Sequence, residues 1–342
     1  ISIMCKKFDK SKYNFYIISI GPCSYKKELK NYVKKFYELK TNRAIYSIFE
    51  LRRIISKFNY KNNNIFVSNI NYANIITILA LRRFSNLKII LVERTAIKEL
   101  DIYFSLKDFI KKKVIKLLVK LFYKKADAII TNSKKSSNSI KILCKTNVKT
   151  IYSPAFKKFS RKIKKKNIVK KILSVGRLSK EKGYETLINA VNLIKHKSFT
   201  LEIVGDGDQK NKLRKLIKQL KLENKIFLRG HQKYTNKYFK RSDLFINCSY
   251  FEGFPNSVVE ALSFNLPVIC SRSHGGINEI LSNGKGGYFF NAGNYLELAN
   301  LISNFLTTQK NFQKKTNYAK INIVKFNTTN CVNDYQKVFE KL

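Results

Sequence analysis

The feature that most limits how this chain can fold is the regular alternation of strands and helices in its second half. The predicted strands lie near 171–175, 199–204, 225–229, 244–249, 267–271 and 287–290. The predicted helices start near Tyr184, Gln209, Thr235, Asn256, Ile277 and Asn294. The buried stripe of the first helix is predicted at Leu187, Ile188, Val191 and Ile194. Because strands that alternate with helices form a parallel sheet covered by those helices, this half is predicted to be an α/β domain.

The first half shows the same alternation less clearly. Its predicted strands are Asn14–Ile20, Ile65–Val67, Lys88–Val92 and Ala128–Thr131, with helices between them. The run KKFSRKIKKKNIVK at 157–170 is highly charged and poor in apolar residues, which is typical of a linker. We therefore predict an N-terminal Rossmann-like domain at 1–156, a linker at 157–170, a second domain at 171–320 and a C-terminal segment at 321–342 whose last helix covers about Asn333–Leu342.

The charge of the chain is extreme, with 68 Lys and Arg against 22 Asp and Glu among 342 residues and a formal net charge of +46. Such a charge attracts nucleic acid or anionic membrane surfaces. No RNA-binding aromatic signature and no zinc-ligand spacing accompanies it, and lysine is abundant along the whole chain. Specific nucleic-acid binding is therefore not expected, although a basic nucleic-acid-binding protein remains an alternative, and no metal site is predicted.

The cysteine pattern and the hydropathy bear on location. The six cysteines show no paired spacing, which is typical of reduced cytosolic proteins. No apolar run is long enough to span a bilayer, and nothing resembles a cleavable signal. The sequence therefore predicts a cytoplasmic protein whose membrane association is peripheral, on the inner face of the cytoplasmic membrane.

One segment could mediate that association. Residues Phe104 to Lys125 form a basic predicted helix. Its predicted apolar stripe is Phe109, Val114, Leu117, Leu118 and Leu121. Such a helix can lie on an anionic membrane. More often an amphipathic helix of this kind covers its own sheet, and both interpretations stay open.

The stretch from residue 249 to residue 279 carries the clearest site pattern. Glu252 follows a predicted buried strand, and Pro255 fixes the bend of the loop after it. Asn256 is predicted to cap a helix that carries Glu260. The unpaired N–H groups of a helix start attract phosphate, and ionised carboxylates accept hydrogen bonds from sugar hydroxyls. The pattern therefore predicts a sugar-phosphate site, whereas the alternative is two glutamates that only stabilise a helix dipole.

Two cations follow the predicted strand at 171–175. Arg177 and Lys182 lie just beyond its carboxyl end, where open α/β sheets bind ligands. The guanidinium group matches phosphate oxygens with paired donors, and the ammonium group acts as a mobile point charge. Since most of the 68 basic residues lie on the surface, the position of these two after the strand is what indicates a role.

The motifs resemble those of glycosyltransferase family 4, the retaining enzymes with the GT-B fold. The similarity is carried by EGFPNSVVEAL, LPVICSRSHGGINEIL, SVGRLSKEKGYETLINA and LEIVGDGDQKNKL, and it is close over about residues 170–305. The resemblance implies two Rossmann-like domains facing a cleft, with the C-terminal helix returning to the first domain. It also implies transfer of a hexose-type sugar from a UDP- or GDP-sugar to a lipid-linked or surface-polysaccharide acceptor, without a cofactor.

The resemblance implies a role for individual residues. Arg177 and Lys182 would bind the donor diphosphate, Glu260 the ribose, and Glu252 the transferred sugar. The full donor-binding set would be Gly176, Arg177, Lys182, Gly205, Gly253, Phe254, Pro255, Asn256, Ser257, Val258 and Glu260, with Glu252, Arg177 and Lys182 taking part in catalysis. Alternatives are a GT-B sugar-nucleotide epimerase and an inactive truncated transferase.

The chain departs from the family pattern in two places. It opens with ISIMCKKF, which resembles the helix after the family's first strand and glycine-rich loop, so that start is expected to be missing. Glu93-Arg94 occupies the place where many members have a histidine. Arg94 and His274 are therefore candidates for the acceptor or sugar side of the site, with a structural role as the alternative for each. The sequence leaves the oligomeric state open.

Overall fold

The computed structural model describes residues 2–23, 25–40, 46–58, 64–103, 105–160, 169–273 and 275–342. The chain forms two compact units. The first unit contains residues 1–154 and 328–342, and the second contains residues 155–327. The predicted linker at 157–170 lies at the start of the second unit, and its residues 161–168 are outside the described part.

The first unit is built on parallel strands. These are β1 (Tyr16–Ile20), β2 (Lys35–Leu39), β3 (Asn64–Asn69), β4 (Leu87–Glu93), β5 (Ala128–Thr131) and β6 (Lys149–Thr150). Strands β1 and β2 pair with each other, and the other four form a sheet in the order β3-β4-β5-β6. The helices along this part are α1 (Ser2–Lys7), α2 (Lys26–Leu29), α3 (Ser47–Ile55), α4 (Asn71–Leu81), α5 (Leu106–Phe122) and α6 (Lys134–Cys144). A core cluster of α3 to α6 residues packs on β3 to β5.

The second unit holds one six-stranded parallel sheet. Its strands are β7 (Lys170–Val175), β8 (Phe199–Val204), β9 (Ile226–Leu228), β10 (Leu244–Asn247), β11 (Val268–Ser271) and β12 (Tyr288–Phe290). Their order is β12-β11-β10-β7-β8-β9. The order therefore reverses between β7 and β10, which makes the carboxyl ends of these two strands the topological switch point where doubly wound sheets bind ligands.

The helices of the second unit follow its strands in turn. They are α7 (Tyr184–Leu193), α8 (Lys210–Gln219), α9 (Asn236–Arg241), α10 (Asn256–Ser263), α11 (Ile277–Ile280), α12 (Tyr295–Thr307) and α13 (Lys310–Ile323). Helices α7, α8 and α12 pack on the sheet through one apolar cluster. The predicted stripe of α7 is confirmed, because Leu187, Ile188 and Val191 are fully buried and Ile194 is nearly so.

The last helix, α14 (Thr328–Phe339), belongs to the first unit and packs against α1. Cys331, Val332, Tyr335 and Val338 bury their side chains in a cluster with Met4, Phe8, Ile90 and Ile130. This return was expected from the family resemblance. The helix starts earlier than the predicted residue 333, because the preceding α13 ends at Ile323 and a short 3-10 turn over Val324–Phe326 separates the two helices.

Several strand predictions differ from the structure. The predicted strand at 244–249 ends at Asn247, because Tyr250 donates its backbone N–H to Glu181 O and the chain leaves the ladder. Strand β2 was missed because it is short and includes Lys35 and Glu38, so it lacks a continuous apolar run. Strand β6 was missed because it has only two residues.

Candidate functional site

The candidate site is built from two loops at the switch point of the second unit. The β7 loop, residues 176–183, leaves the carboxyl end of β7, and the β10 loop, residues 248–255, leaves the carboxyl end of β10. The hydrogen bond from Tyr250 N to Glu181 O, 2.8 Å, joins the two loops directly. Residues that the sequence separates by about seventy positions are thereby held side by side.

The most direct contact across the loops is an ion pair between Lys182 and Glu252. Both side chains are largely buried, with exposed fractions of 23% and 11%. Glu252 Oε1 also accepts a hydrogen bond from Ser249 Oγ at 2.8 Å. The second oxygen of Glu252, Oε2, has no partner among the described residues, so it remains available to accept hydrogen bonds.

Arg177 lies in the same β7 loop but is exposed. Within the described part of the chain its guanidinium group forms no ion pair or hydrogen bond with another side chain. An unpaired guanidinium group therefore lies beside a partly buried ion pair at the switch point. The charge of this group favours an anionic ligand.

Helix α10 also begins at the switch point, directly after the β10 loop. The structure corrects the prediction that Asn256 is its N-cap, because the cap residue is Pro255 and Asn256 is the first helical residue. Proline fixes its own φ, here −75°, so it can hold the non-helical conformation from which the helix starts. No protein acceptor is seen for the backbone N–H groups of Asn256 and Ser257 among the described residues. The helix start therefore presents free donors to an anion.

Glu260 lies one turn further along α10 and is partly buried. Its side chain has no hydrogen-bond or ion-pair partner in the part of the chain that the structure describes. Loss of hydration through burial raises the pKa of its carboxyl group to about 7. A carboxylate that is desolvated without a protein donor gains stability when a ligand supplies hydroxyl groups.

Glycines bring the neighbouring loops into close contact with the site. A Cβ on Gly205 would lie 1.8 Å from Gly176 O, and one on Gly176 would lie 2.9 Å from the Tyr184 hydroxyl. A Cβ on Gly275 would lie 1.6 Å from Glu252 O, and Gly276 N donates to Gly253 O at 2.8 Å. The loops after β8 and β11 therefore support the two loops that carry the charged groups.

The other members of the predicted set are placed as follows. Phe254 is buried and packs edge-on against Phe326, with ring centroids 5.0 Å apart, and Val258 is fully buried. These two side chains therefore hold the β10 loop and α10 in position. His274 lies outside the described residues.

Arg94 belongs to the first unit, where it follows β4. Burial raises the pKa of Tyr335 in α14 to about 12, and the positive charge of Arg94 opposes this shift. The preceding Glu93 is fully buried and accepts hydrogen bonds from Tyr123 Oη at 2.7 Å and from the Arg94 N–H at 3.0 Å. Burial raises the pKa of Glu93, whereas its hydrogen bonds lower it.

The sequence analysis assigned no role to three contributors to these arrangements. Ser249 was not identified because a single serine at a strand end has no distinguishing pattern. Gly275 could have been found from the Gly-Gly pair that begins there. Glu93 could have been found because a carboxylate that directly follows the run KIILV needs a buried donor.

Comparisons with known proteins show which family the second unit resembles. Residues 155–322 match the model of the family Glycosyl transferases group 1. The chain is 36% identical to MJ1059, an uncharacterized glycosyltransferase of Methanocaldococcus jannaschii, over 194 residues. This alignment covers 52% of this chain and 47% of that protein. A second relative is the N-acetylgalactosamine-N,N'-diacetylbacillosaminyl-diphospho-undecaprenol 4-alpha-N-acetylgalactosaminyltransferase of Campylobacter jejuni, which is 30% identical over 236 residues. This alignment covers 66% of this chain and 63% of that protein. The chain thus spans less than two thirds of the length of these relatives.

The fold is also that of solved structures. The structure of Anabaena Alr3699/HepE in complex with UDP-glucose aligns with a TM-score of 0.79 and 18% sequence identity, covering 100% of this chain and 96% of that one. The predicted GT-B fold is confirmed by these matches. Residues 155–322 therefore resemble the Glycosyl transferases group 1 family, in a chain with the GT-B fold.

Proposed function

We propose that this chain is a retaining glycosyltransferase that moves a hexose-type sugar from a nucleotide-sugar donor to a glycan or lipid-linked acceptor. The observation that carries the proposal is the grouping at one switch point of a free guanidinium group, a helix start with free N–H donors and an unpartnered carboxylate. A nucleoside diphosphate offers two anionic phosphates and a ribose with two hydroxyl groups. These groups match the three protein features in number and charge.

In the proposed complex the diphosphate lies between Arg177 and the first turn of α10. Lys182 retains donors for a phosphate oxygen while it is paired with Glu252, because an ammonium group has three N–H bonds. Glu260 accepts the ribose hydroxyls, and Glu252 uses its free Oε2 for the transferred sugar. We assign Gly176, Gly205 and Gly253 to the backbone around the donor, where the absence of a Cβ permits close approach.

The chemical step then depends on stabilising the departing diphosphate. Negative charge builds up on the leaving oxygen as the bond to the sugar breaks, and the fixed cations and helix start are already oriented toward such charge. The acceptor hydroxyl attacks from the face that the diphosphate leaves and passes its proton to the departing diphosphate oxygen, so the anomeric configuration is retained. The proposal invokes no metal ion, since protein groups supply the positive charge.

The acceptor is proposed by comparison. The Campylobacter relative is named for a diphospho-undecaprenol acceptor, which is a lipid-linked glycan. UDP is the favoured nucleotide because the Anabaena structure holds UDP-glucose. A lipid-linked acceptor agrees with the proposed peripheral position at the inner face of the cytoplasmic membrane. Among the described residues, each helix is too short or too polar to cross a bilayer.

The proposal is tested by thermal unfolding of the chain with a panel of UDP- and GDP-sugars. A donor at 100 times its dissociation constant stabilises the folded state by about 2.7 kcal/mol. We expect one nucleotide to raise the Tm by roughly 5–10 °C, given about 2–4 °C per kcal/mol for a domain of this size. No shift with any nucleotide sugar would contradict the proposal.

The same donor then separates transfer from epimerisation. A transferase releases nucleoside diphosphate in proportion to the added acceptor. An epimerase instead changes the configuration of the donor sugar, and it needs no acceptor to do so. We expect release to depend on the acceptor. Conversion of the donor alone would instead support the epimerase, and donor binding without either product would support an inactive transferase.

The pKa of Glu260 gives a pH-dependent prediction. If only the ionised carboxylate accepts the ribose hydroxyls, donor affinity should rise up to about tenfold per pH unit below pH 7 and level off above it. A nucleotide sugar is the suitable ligand for calorimetry, because its diphosphate has no terminal phosphate that titrates in this range. The Glu260→Gln variant should bind more weakly and lose this pH dependence. An unchanged affinity in Glu260→Gln would remove this residue from the site.

The unliganded protein should show the opposite trend in stability. The pKa of Glu260 is raised on folding, so its protonated form is favoured in the folded state. Its contribution to stability is complete below the unfolded pKa and is lost as the pH rises through about 7. Glu260→Gln should therefore flatten the fall of Tm between pH 5 and pH 8 relative to the parent protein.

A further inference from the structure

Helix α5 of the first unit has two apolar faces, of which only one is buried. Ile115 and Val119 are buried in the core of the unit, and Leu118 packs against that core as well. On the other side of the helix, apolar side chains are exposed to solvent, with exposed fractions of 39–75%. These are Leu106, Phe109, Ile110, Val114, Leu117 and Leu121.

This result separates the predicted stripe into two parts. Of its five residues, Leu118 contributes to covering the sheet, whereas Phe109, Val114, Leu117 and Leu121 do not. At 100° per residue, Leu106, Ile110, Val114, Leu117 and Leu121 fall within an arc of about 80° along the whole helix. We call this arc the α5 stripe.

Lysines border the α5 stripe on both sides. Lys113 and Lys120 lie along one edge, and Lys107 and Lys111 lie along the other. All four are exposed, and none has a carboxylate partner within the described residues. The acidic residue on the helix, Asp108, pairs with Lys112 toward the buried side. The exposed side of the helix therefore combines an apolar strip with uncompensated positive charge.

We propose that the α5 stripe is a docking surface for an anionic membrane, with the helix lying in the plane of the interface. An apolar strip of this length, about 25 Å over 17 residues, can enter the boundary between head groups and acyl chains. The bordering lysines then lie at the level of the anionic head groups. Long lysine side chains suit this position, because their methylene groups follow the apolar surface while the ammonium groups stay hydrated.

The charge distribution favours a membrane over a second copy of the chain. Two α5 stripes packed face to face would bring like-charged lysine borders together, in a chain of formal net charge +46. An anionic lipid surface has the opposite charge. The inference concerns the first unit and does not depend on the reaction proposed for the second.

The test is co-sedimentation with vesicles of phosphatidylcholine, with and without 30% phosphatidylglycerol. The parent protein should bind the anionic vesicles at least tenfold more tightly than the neutral ones, and salt should release it. Replacement of Ile110, Leu117 and Leu121 by Ser should weaken binding to anionic vesicles at least tenfold. Because these side chains are exposed, the Tm should stay unchanged.

Two matched controls separate the stripe from the overall charge. Ile142→Ser with Ile321→Ser removes exposed apolar side chains elsewhere, since each isoleucine is 79% exposed, and should leave vesicle binding unchanged.

The charge control compares two triple variants with equal net charge. Binding to anionic vesicles should weaken at least tenfold when Gln replaces Lys107, Lys113 and Lys120. It should weaken less than threefold when Gln replaces Lys215, Lys218 and Lys240.

Three results would overturn the proposal. The first is that the stripe variant and its control bind anionic vesicles equally well. The second is that vesicle binding does not depend on lipid charge. The third is that the parent protein does not bind vesicles but forms a concentration-dependent dimer, which the stripe variant abolishes. If the chain binds vesicles through α5 but transfers sugar from no nucleotide sugar, the proposed function alone is contradicted. Failure of vesicle binding in an active enzyme would contradict the docking surface alone.

Discussion

The Arg177→Ala variant is expected to lose about a hundredfold or more in kcat while keeping the Tm of the parent protein. Arg177 is exposed and has no side-chain partner among the described residues, so its removal leaves no buried group unpaired. In the proposed reaction, however, its guanidinium group stabilises the charge that develops on the leaving diphosphate. Loss of one such group typically lowers kcat by about 10²–10³.

The kinetic pattern is more informative than the loss itself. An interaction that strengthens as the diphosphate departs lowers kcat more than it raises KM, whereas one that only holds the ground state raises KM. Steady-state kinetics with varied donor distinguishes these cases. Arg214→Ala, on the exposed side of α8, is the matched control and should behave as the parent protein. An Arg177 variant with normal turnover would remove this residue from the site.

Lys182→Ala should show the same loss of kcat together with a lower Tm. The reason for the difference is that Glu252, only 11% exposed, loses its ion-pair partner and keeps one hydrogen bond from Ser249. Breaking one side of a largely buried pair leaves an uncompensated charge. If Lys182→Ala lowers the Tm but each folded molecule turns over normally, the pair is structural and has no role in catalysis.

The sequence was sufficient to place most of the second unit, because each of its strands is an apolar run between polar turns. Strand β8 has the predicted bounds, and α7, α10 and α11 begin at the predicted residues. The positions of Arg177, Lys182 and Glu252 at the carboxyl ends of β7 and β10 followed from the same pattern. A local signal is reliable here because buried parallel strands have little tolerance for polar residues.

The contacts between loops could not be predicted in the same way. The ion pair of Lys182 with Glu252 depends on β7 and β10 being neighbours, and strand order is a property of the whole sheet. The N-cap of α10 was misassigned because Asn256 has the side chain of a typical cap, while the backbone of Pro255 takes that place. The two faces of α5 could not be told apart because both have apolar residues at helical spacing.

Gly275→Ala is expected to lower the stability of the second unit strongly, although it adds only one carbon atom. The backbone φ of Gly275 is +121°, a conformation that residues with a Cβ rarely adopt. The added Cβ would also lie 1.6 Å from Glu252 O and 2.8 Å from Gly253 O. Both atoms belong to backbone, so the β10 loop itself must move, and we expect a loss of about 3 kcal/mol in the free energy of unfolding.

Gly230→Ala is the control that isolates the contact with the site. Gly230 also has a positive φ, +67°, but a Cβ there would meet no atom within 4 Å. The left-handed conformation alone costs an alanine roughly 1–2 kcal/mol, and the β10 loop stays in place. Chemical denaturation should therefore rank Gly275→Ala below Gly230→Ala in stability, and donor binding should be lost only in the former. Equal stability and equal donor affinity in the two variants would show that the loop after β11 does not hold Glu252 in position.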